Sequence, residues 1–198
     1  MKRKSIFLLI FGLIITAFGG FLYLNRDNFT YVGQLEIVDI DCNNKGEILD
    51  SVFESDQRIR KTDVPFKQFA QEDHKNQELV ISIIEKCGMP TLKEVSRKQM
   101  DAIWLVWQHT DENHRKKYFP LVELAVNKGD LSKQNYALMK DRILMDEGKP
   151  QLYGSQIQNG KLYELEAPSG VNERRKSMDM EPLEDYLNKF GIEYKPKD

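Results

Sequence analysis

The 198-residue chain has little cysteine, with two, little tryptophan, with two, and only three histidines. Cys42 and Cys87 form no CxxC pair, which excludes a zinc ribbon or a dithiol redox motif. A glycine-rich phosphate loop and a Gly-x-Ser-x-Gly elbow are also missing, so neither nucleotide binding of that type nor an α/β-hydrolase serine is indicated. There is no internal repeat and no low-complexity tract. Charge of one sign is lacking as well, with 29 Lys and Arg against 31 Asp and Glu. Three of the basic residues are Lys2, Arg3 and Lys4, and the remainder of the chain is mildly acidic. Such a body lacks the basic footprint of a nucleic-acid binder, and no nucleic-acid partner is expected.

What is present begins with an address. Between Lys4 and Arg26 no residue is charged, and residues 6–24 form an apolar run long enough for roughly 30 Å of bilayer hydrocarbon. The basic start marks the cytoplasmic side, so the run reads as an N-terminal transmembrane helix with the body outside the cytoplasm. The competing reading is a signal peptide cleaved near Ala17-Phe18-Gly19, which would leave a secreted or periplasmic protein. A helix of the core is a third reading. An exported body would let Cys42 and Cys87 pair, while two separate buried thiols remain the alternative.

Residues 1–25 are thus assigned to the anchor or signal peptide. Residues 26–46 form an extended linker or short strand, since 30–40 alternate and are β-branched. A helical domain is expected over 47–190, with a tail over 191–198. Within that domain the apolar spacing predicts five to six helices. The first covers about 47–61. The second begins at Asp73 as N-cap and stops at Gly88-Met89-Pro90. Ser96 caps a third through Gln108, a fourth holds Phe119 to Val126, and Ser132 caps a fifth ending near Gly148. Asn159-Gly160 between strand-like runs (151–158 and 161–166) signals one β-hairpin before the last helix, 172–190, which bends at Pro182. The fold class is mainly α.

One ordered set of residues carries a resemblance. Asp141-Arg142, Gly148 and Gln151-x-Tyr153-Gly154-Ser155-Gln156 are joined upstream by Asp56-Gln57-x-x-Arg60, Asp73, Asn76, Ile83-Ile84, Gly88-x-Pro90 and Gln108-His109. Downstream stand Arg174-Arg175 and Pro182-Leu183-x-x-Tyr186. This set resembles a bacterial family known only as a domain of unknown function, family 6624, over most of the body. Ser155 replaces the family's usual Thr and keeps the hydroxyl, and the loop over 91–95 lacks the usual Val-Gly step. The resemblance implies a shared fold and a set of site residues, and no reaction.

Among those residues His109 follows an apolar helix, where an imidazole can act as a general base near neutral pH if Asp141 orients it. The plainer reading is a core histidine with both nitrogens satisfied. Asp141 shares its helix face with Ala137, Leu138, Leu144 and Met145 and therefore needs a partner, for which Arg60, Arg142 and His109 are candidates. A structural ion pair is the alternative. Gln57, Arg60, Gln108, Gln151, Tyr153 and Gln156 carry recognition groups and are the expected binding residues. His109, Asp111 and His114 do not make a metal set, because a five-residue step turns the imidazoles about 140° apart on a helix. Asp39-x-Asp41-x-Asn43 with Asp50 copies a calcium loop only partly, and an Asx-rich turn is expected there. No metal and no cofactor is expected.

Two functions are consistent with these residues. One is a membrane-anchored extracytoplasmic recognition module for a peptide, glycan or small polar ligand. The other is a hydrolase-type enzyme with His109 as base, Asp141 orienting it, and Arg142 or Gln156 stabilising charge.

Overall fold

A computed structural model of the chain describes residues 34–195. The expected membrane segment, 6–24, lies outside the described residues, as does the first part of the 26–46 linker. Among the described residues no helix is long and apolar enough to cross a membrane. The structure is mainly helical, with a two-stranded antiparallel hairpin before the last two helices.

A 3₁₀ turn, Cys42–Asn44, leads into α1, Lys45–Lys61. Helix α2 is Phe66–Cys87, α3 is Arg97–His109, α4 is Glu112–Asn127 and α5 is Lys133–Asp146. Strands β1, Ile157–Gln158, and β2, Lys161–Leu162, are followed by a 3₁₀ turn, Pro168–Gly170, and by α6, Val171–Ser177, and α7, Leu183–Asn188. Ser96 and Ser132 cap their helices as their positions suggest, Ser96 within a full capping box with Gln99. Asp111 caps α4 through the amides of Asn113 and His114, so that helix starts early and Pro120 falls inside it.

Three boundaries differ from expectation. Helix α2 starts at Phe66, right after Pro65, and Asp73 lies inside it and faces Arg60. Phe66, Phe69 and Ala70 already follow helical spacing from the residue after Pro65, a signal that the choice of Asp73 as N-cap passes over. The last helix is two helices, because Asp179 takes a left-handed φ of 57° and Pro182 stands before α7. The hairpin strands have two residues each, paired Ile157 with Leu162 and Gln158 with Lys161. Its turn residues Asn159 and Gly160 both have positive φ, 53° and 71°, as a type I′ turn requires. Residues 34–40 form no strand: the Val38 amide donates to Ser82 Oγ, and Leu35 and Ile40 pack on the core.

Helices α1 to α5 enclose one core, in which Leu49, Val52, Val80, Ile83, Met100, Ile103, Trp107 and Val122 are fully buried. Trp107 stacks on Tyr118 with ring centroids 5.2 Å apart. A smaller cluster of Val171, Leu183 and Leu187 joins α6 and α7 to the hairpin residues Ile157 and Leu162. Ile192 and Tyr194, expected in a tail, pack on this cluster. A disulfide between Cys42 and Cys87 ties the turn before α1 to the end of α2. The partial calcium motif is a turn: Asp41 accepts from the Asn43 amide, Asp39 pairs with Lys86, and Asp50 accepts from Gln99.

Candidate functional site

The two clusters meet at Asp141. Its carboxylate is 0% exposed, and it accepts from the amides of Leu152 at 2.8 Å, Tyr153 at 3.0 Å and Ser155 at 3.0 Å, and from Ser155 Oγ at 2.9 Å. A buried carboxylate is costly unless every lone pair is used, and here the chain after α5 wraps around it to supply the donors. Gly154 makes the wrap possible: its φ is +69°, and a Cβ there would stand 2.7 Å from Leu183 Cδ1. Gln151 closes the loop. Its amide donates to the carbonyls of Gln156 and Tyr163 and accepts from the Gln156 amide.

The downstream residues hold the same loop from the other side. Arg175, fully buried, donates to the Tyr153 and Glu181 carbonyls and stacks on Tyr186 at 4.9 Å. The Tyr186 hydroxyl donates to the Ser155 carbonyl at 3.0 Å, and Arg174 donates to the Leu152 carbonyl at 2.7 Å. Residues dispersed in sequence therefore converge on six positions, 151–156.

From this loop the buried Gln156 side chain reaches α5. Its Nε2 is spent on the Leu138 carbonyl and Ser155 Oγ, and its Oε1 accepts from Arg142 Nε at 3.3 Å. Arg142 Nη1 donates to the Gln108 carbonyl at 2.8 Å, one of the terminal carbonyls of α3 where a cation is favoured. The next residue, His109, ends α3. Arg115 completes this end of the helix, bonding the Thr110 carbonyl and pairing with Asp146 at 2.7 Å. Between α1 and α2, Arg60 is held by Asp56 at 2.8 Å and Asp73 at 2.5 Å and lies over Phe69. Gln57 reaches the group through Asp56.

His109 is exposed, and among the described residues its ring nitrogens have no hydrogen-bond partner. Yet desolvation, followed by the guanidinium groups of Arg60 and Arg142, pushes the imidazole down to about 4, against a small opposing pull from Asp56. The side chain is thus reached by solvent at the end of α3 while protein crowds part of it. Burial also lowers Arg142, with the Arg115 charge adding to it. The imidazole is thus neutral at physiological pH, with one N–H to give and one lone pair to share.

The structure joins Arg142 to Gln108 and Gln156, with His109 next to Gln108, while Gln57 and Arg60 bond to Asp56 on α1. Gln151, Tyr153 and Gln156 are all buried: Gln151 has its amide fully used by the backbone, and of the three Gln156 alone touches Arg142. Asp141 does not orient His109, since its hydrogen-bond partners all lie in the loop. Arg115 and Asp146 are the residues of this region that the sequence pattern did not single out. Arg115 carried a faint signal, a cation in the first turn after the α3 terminus. Among the described residues no group of three or more His, Cys, Asp or Glu is placed to hold a metal ion.

Known proteins add one fact. No curated protein and no solved structure matches this chain. The profile of a family of unknown function, DUF6624, matches residues 46–197, which runs from the first turn of α1 past α7 and takes in all of these residues. By that match the chain belongs to the DUF6624 family.

Proposed function

We propose that the chain is a recognition module that binds a small polar ligand, or the polar group of a peptide or glycan, at the exposed end of α3 beside α5. One observation carries this reading: half-buried Arg142 spans the Gln108 carbonyl at the end of α3 and the Gln156 side chain of the loop that Asp141 fixes, and His109, next to Gln108, is exposed. Preorganised donors on rigid elements favour binding, because little ordering remains to be done when the ligand arrives. The hydrolase reading draws less support. It needs Asp141 to orient His109, and the Asp141 oxygens are committed to the loop.

The body belongs outside the cytoplasm, tethered through residues 6–24 or released there by cleavage. The apolar run behind a basic start supports this, and so does the Cys42–Cys87 disulfide, a bond that persists in oxidising compartments.

The test is a thermal-shift screen of the 198-residue chain in nonionic detergent against amino acids, short peptides, sugars, carboxylates and phosphate esters. A ligand at 100 times its Kd stabilises by about 2.7 kcal/mol, which moves the midpoint by several degrees. The expected result is a shift from one chemical class that is lost in Gln156→Ala, without turnover of the bound compound. No shift from any class, or hydrolysis that depends on His109, overturns the proposal.

A further inference from the structure

A cavity of about 690 Å³ lies beside α3, between the end of α4, the start of α5 and Phe53 of α1, and its volume is in the range of small-molecule sites. It begins at the opposite end of α3 from His109, and neither Arg142, Gln108 nor Gln156 lines it. Its floor is apolar, made by the half-buried Phe53, Trp104, Leu105 and Val126 and the buried Leu131. Trp104 is fixed in place, because its Nε1–H donates to the Asn135 carbonyl at 3.0 Å.

Among the described residues four charged side chains line the cavity, two of each sign. Lys133 and Asp179 are exposed and pair with each other at 3.6 Å. Arg97 and Asp101 stand one turn apart on α3, the spacing of an ion pair, yet among the described residues no Lys or Arg lies within 4.0 Å of the Asp101 carboxylate. The guanidinium is drawn the other way, donating through Nη1 to the Asp130 carbonyl at 2.7 Å and through Nη2 to the Gly129 carbonyl at 3.2 Å. Its Nε donates to no described residue. Asp101 is half-buried, and burial pushes its carboxyl up against the pull of Arg97 and a hydrogen bond from the Asn135 side chain. A cation and an anion thus flank one cavity, unpaired with each other and both with bonding capacity to spare.

We infer that this cavity binds an α-amino acid with a large apolar side chain, its carboxylate at Arg97, its ammonium at Asp101 and its side chain on the floor beside Trp104 and Leu105. The site is separate from the one proposed above. Arg97, Asp101 and then Trp104 with Leu105 follow one another along one face of α3, in steps that rise about 4.5 to 6 Å. Cation, anion and apolar surface in that order match the carboxylate, ammonium and side chain of such a ligand, and both charged contacts are charge-assisted hydrogen bonds. The lining charges sum to zero, which favours a zwitterion. A simple anion would meet Asp101, and a simple amine would bring no carboxylate for Arg97. A peptide terminus carries only one of the two charges. The indole of Trp104, one turn past Asp101, adds to the preference for an ammonium.

The experiment titrates the 198-residue chain, in nonionic detergent, with L-phenylalanine and follows its two indole N–H resonances by heteronuclear NMR. Trp107 is fully buried in the core and serves as the internal reference. Phenylalanine is expected to shift the Trp104 resonance saturably and to leave that of Trp107 in place. N-acetyl-L-phenylalanine lacks the ammonium, L-phenylalaninamide lacks the carboxylate and glycine lacks the side chain. Each should bind about tenfold more weakly or worse, as expected when one charged or apolar contact is lost. These titrations of the unmodified chain do not depend on any variant folding. Asp101→Asn should weaken phenylalanine by a similar factor and leave the N-acetyl compound as it was, since that compound has no ammonium to lose. Gln156→Ala, outside the cavity, should leave the phenylalanine response unchanged. The inference is overturned by no saturable shift at Trp104, by equal binding of any of the three comparison compounds, or by an Asp101→Asn chain that binds phenylalanine as before. It is also overturned if the response is lost in a Gln156→Ala chain whose Trp107 resonance is unchanged, a result that would place the amino acid at the site proposed above.

Discussion

Asp141 is an anion whose counter-charge is made of dipoles. Three amides and one hydroxyl point at it, so removing the carboxylate would strand four donors in a dry place, each worth about 1 to 3 kcal/mol when left unmade. Asp141→Ala is expected to destabilise the chain by roughly 3 to 5 kcal/mol in urea denaturation. In a double-mutant cycle with His109→Ala the effects should add within about 0.5 kcal/mol, since the two side chains share no partner. Sequence put Asp141 on an apolar face and so required a partner. It could not say which, because the partners are main-chain groups of a loop and have no signature in side-chain identity. His109 shows the opposite limit: its position at the end of α3 was legible, but a histidine on an apolar helix face reads as buried, and this one lies past the point where the bundle covers α3. Its titration is a direct check. NMR should place the His109 midpoint near 4, against 6.5 for a free imidazole, and Arg142→Gln should raise it by removing a repelling charge. Because the folded value is depressed, the unfolded chain takes up the proton first. His109 therefore costs no stability above about 6.5 and lowers stability as pH falls from there toward 4.

At the scale of elements, caps were the most readable features and junctions the least. Ser96 and Ser132 mark their helices because a short hydroxyl side chain satisfies an otherwise orphaned amide, a local event that local sequence encodes. The start of α2 at Phe66 was legible in the spacing of Phe66, Phe69 and Ala70, which the N-cap chemistry of Asp73 outweighs in a local reading, and the bend at Pro182 is a full break because Asp179 leaves the helical region first. The hairpin turn was legible at Asn159-Gly160, whereas the segment expected to be its longer first strand is the loop around Asp141, with extended pairing giving way to carboxylate contacts. Gly154 carries the tightest demand in that loop. Its left-handed φ penalises any side chain, and a methyl group would press on Leu183, which is itself fully buried. Gly154→Ala should cost about 1 to 3 kcal/mol in chemical denaturation. It should also broaden the Arg142 Nε–H resonance, because the displaced loop carries Gln156. A destabilised variant with that resonance unchanged would show that the site does not depend on the loop.

Across the whole molecule the helical bundle and the small α6 and α7 cluster are separate hydrophobic units joined through the 151–156 loop, so a ligand on Arg142 and Gln156 sits at their seam. The bundle has its own staple, the disulfide that closes the chain from Cys42 to Cys87. In the chain-entropy view a loop of that length contributes about 4 kcal/mol, a large share of the roughly 5 to 15 kcal/mol typical of a domain. The same bond reports the compartment, because a thiol pair in the cytoplasm is kept reduced while one across the membrane is not. Both consequences can be read in one set of samples. Cells expressing the chain are treated with a membrane-impermeant protease, fractionated, and alkylated under denaturing conditions before and after reduction. The expected outcome is a membrane-associated or exported chain, cleaved by the external protease once the outer barrier is opened, that takes up two alkyl groups only after reduction. The purified chain should then lose on the order of 4 kcal/mol of stability in reductant, and Cys42→Ser with Cys87→Ser should lose as much without it. A chain that is protease-protected and alkylated without reduction would place the body in the cytoplasm. The bond between the turn before α1 and the end of α2 would then go unused in the cell, leaving the bundle to stand on its core alone.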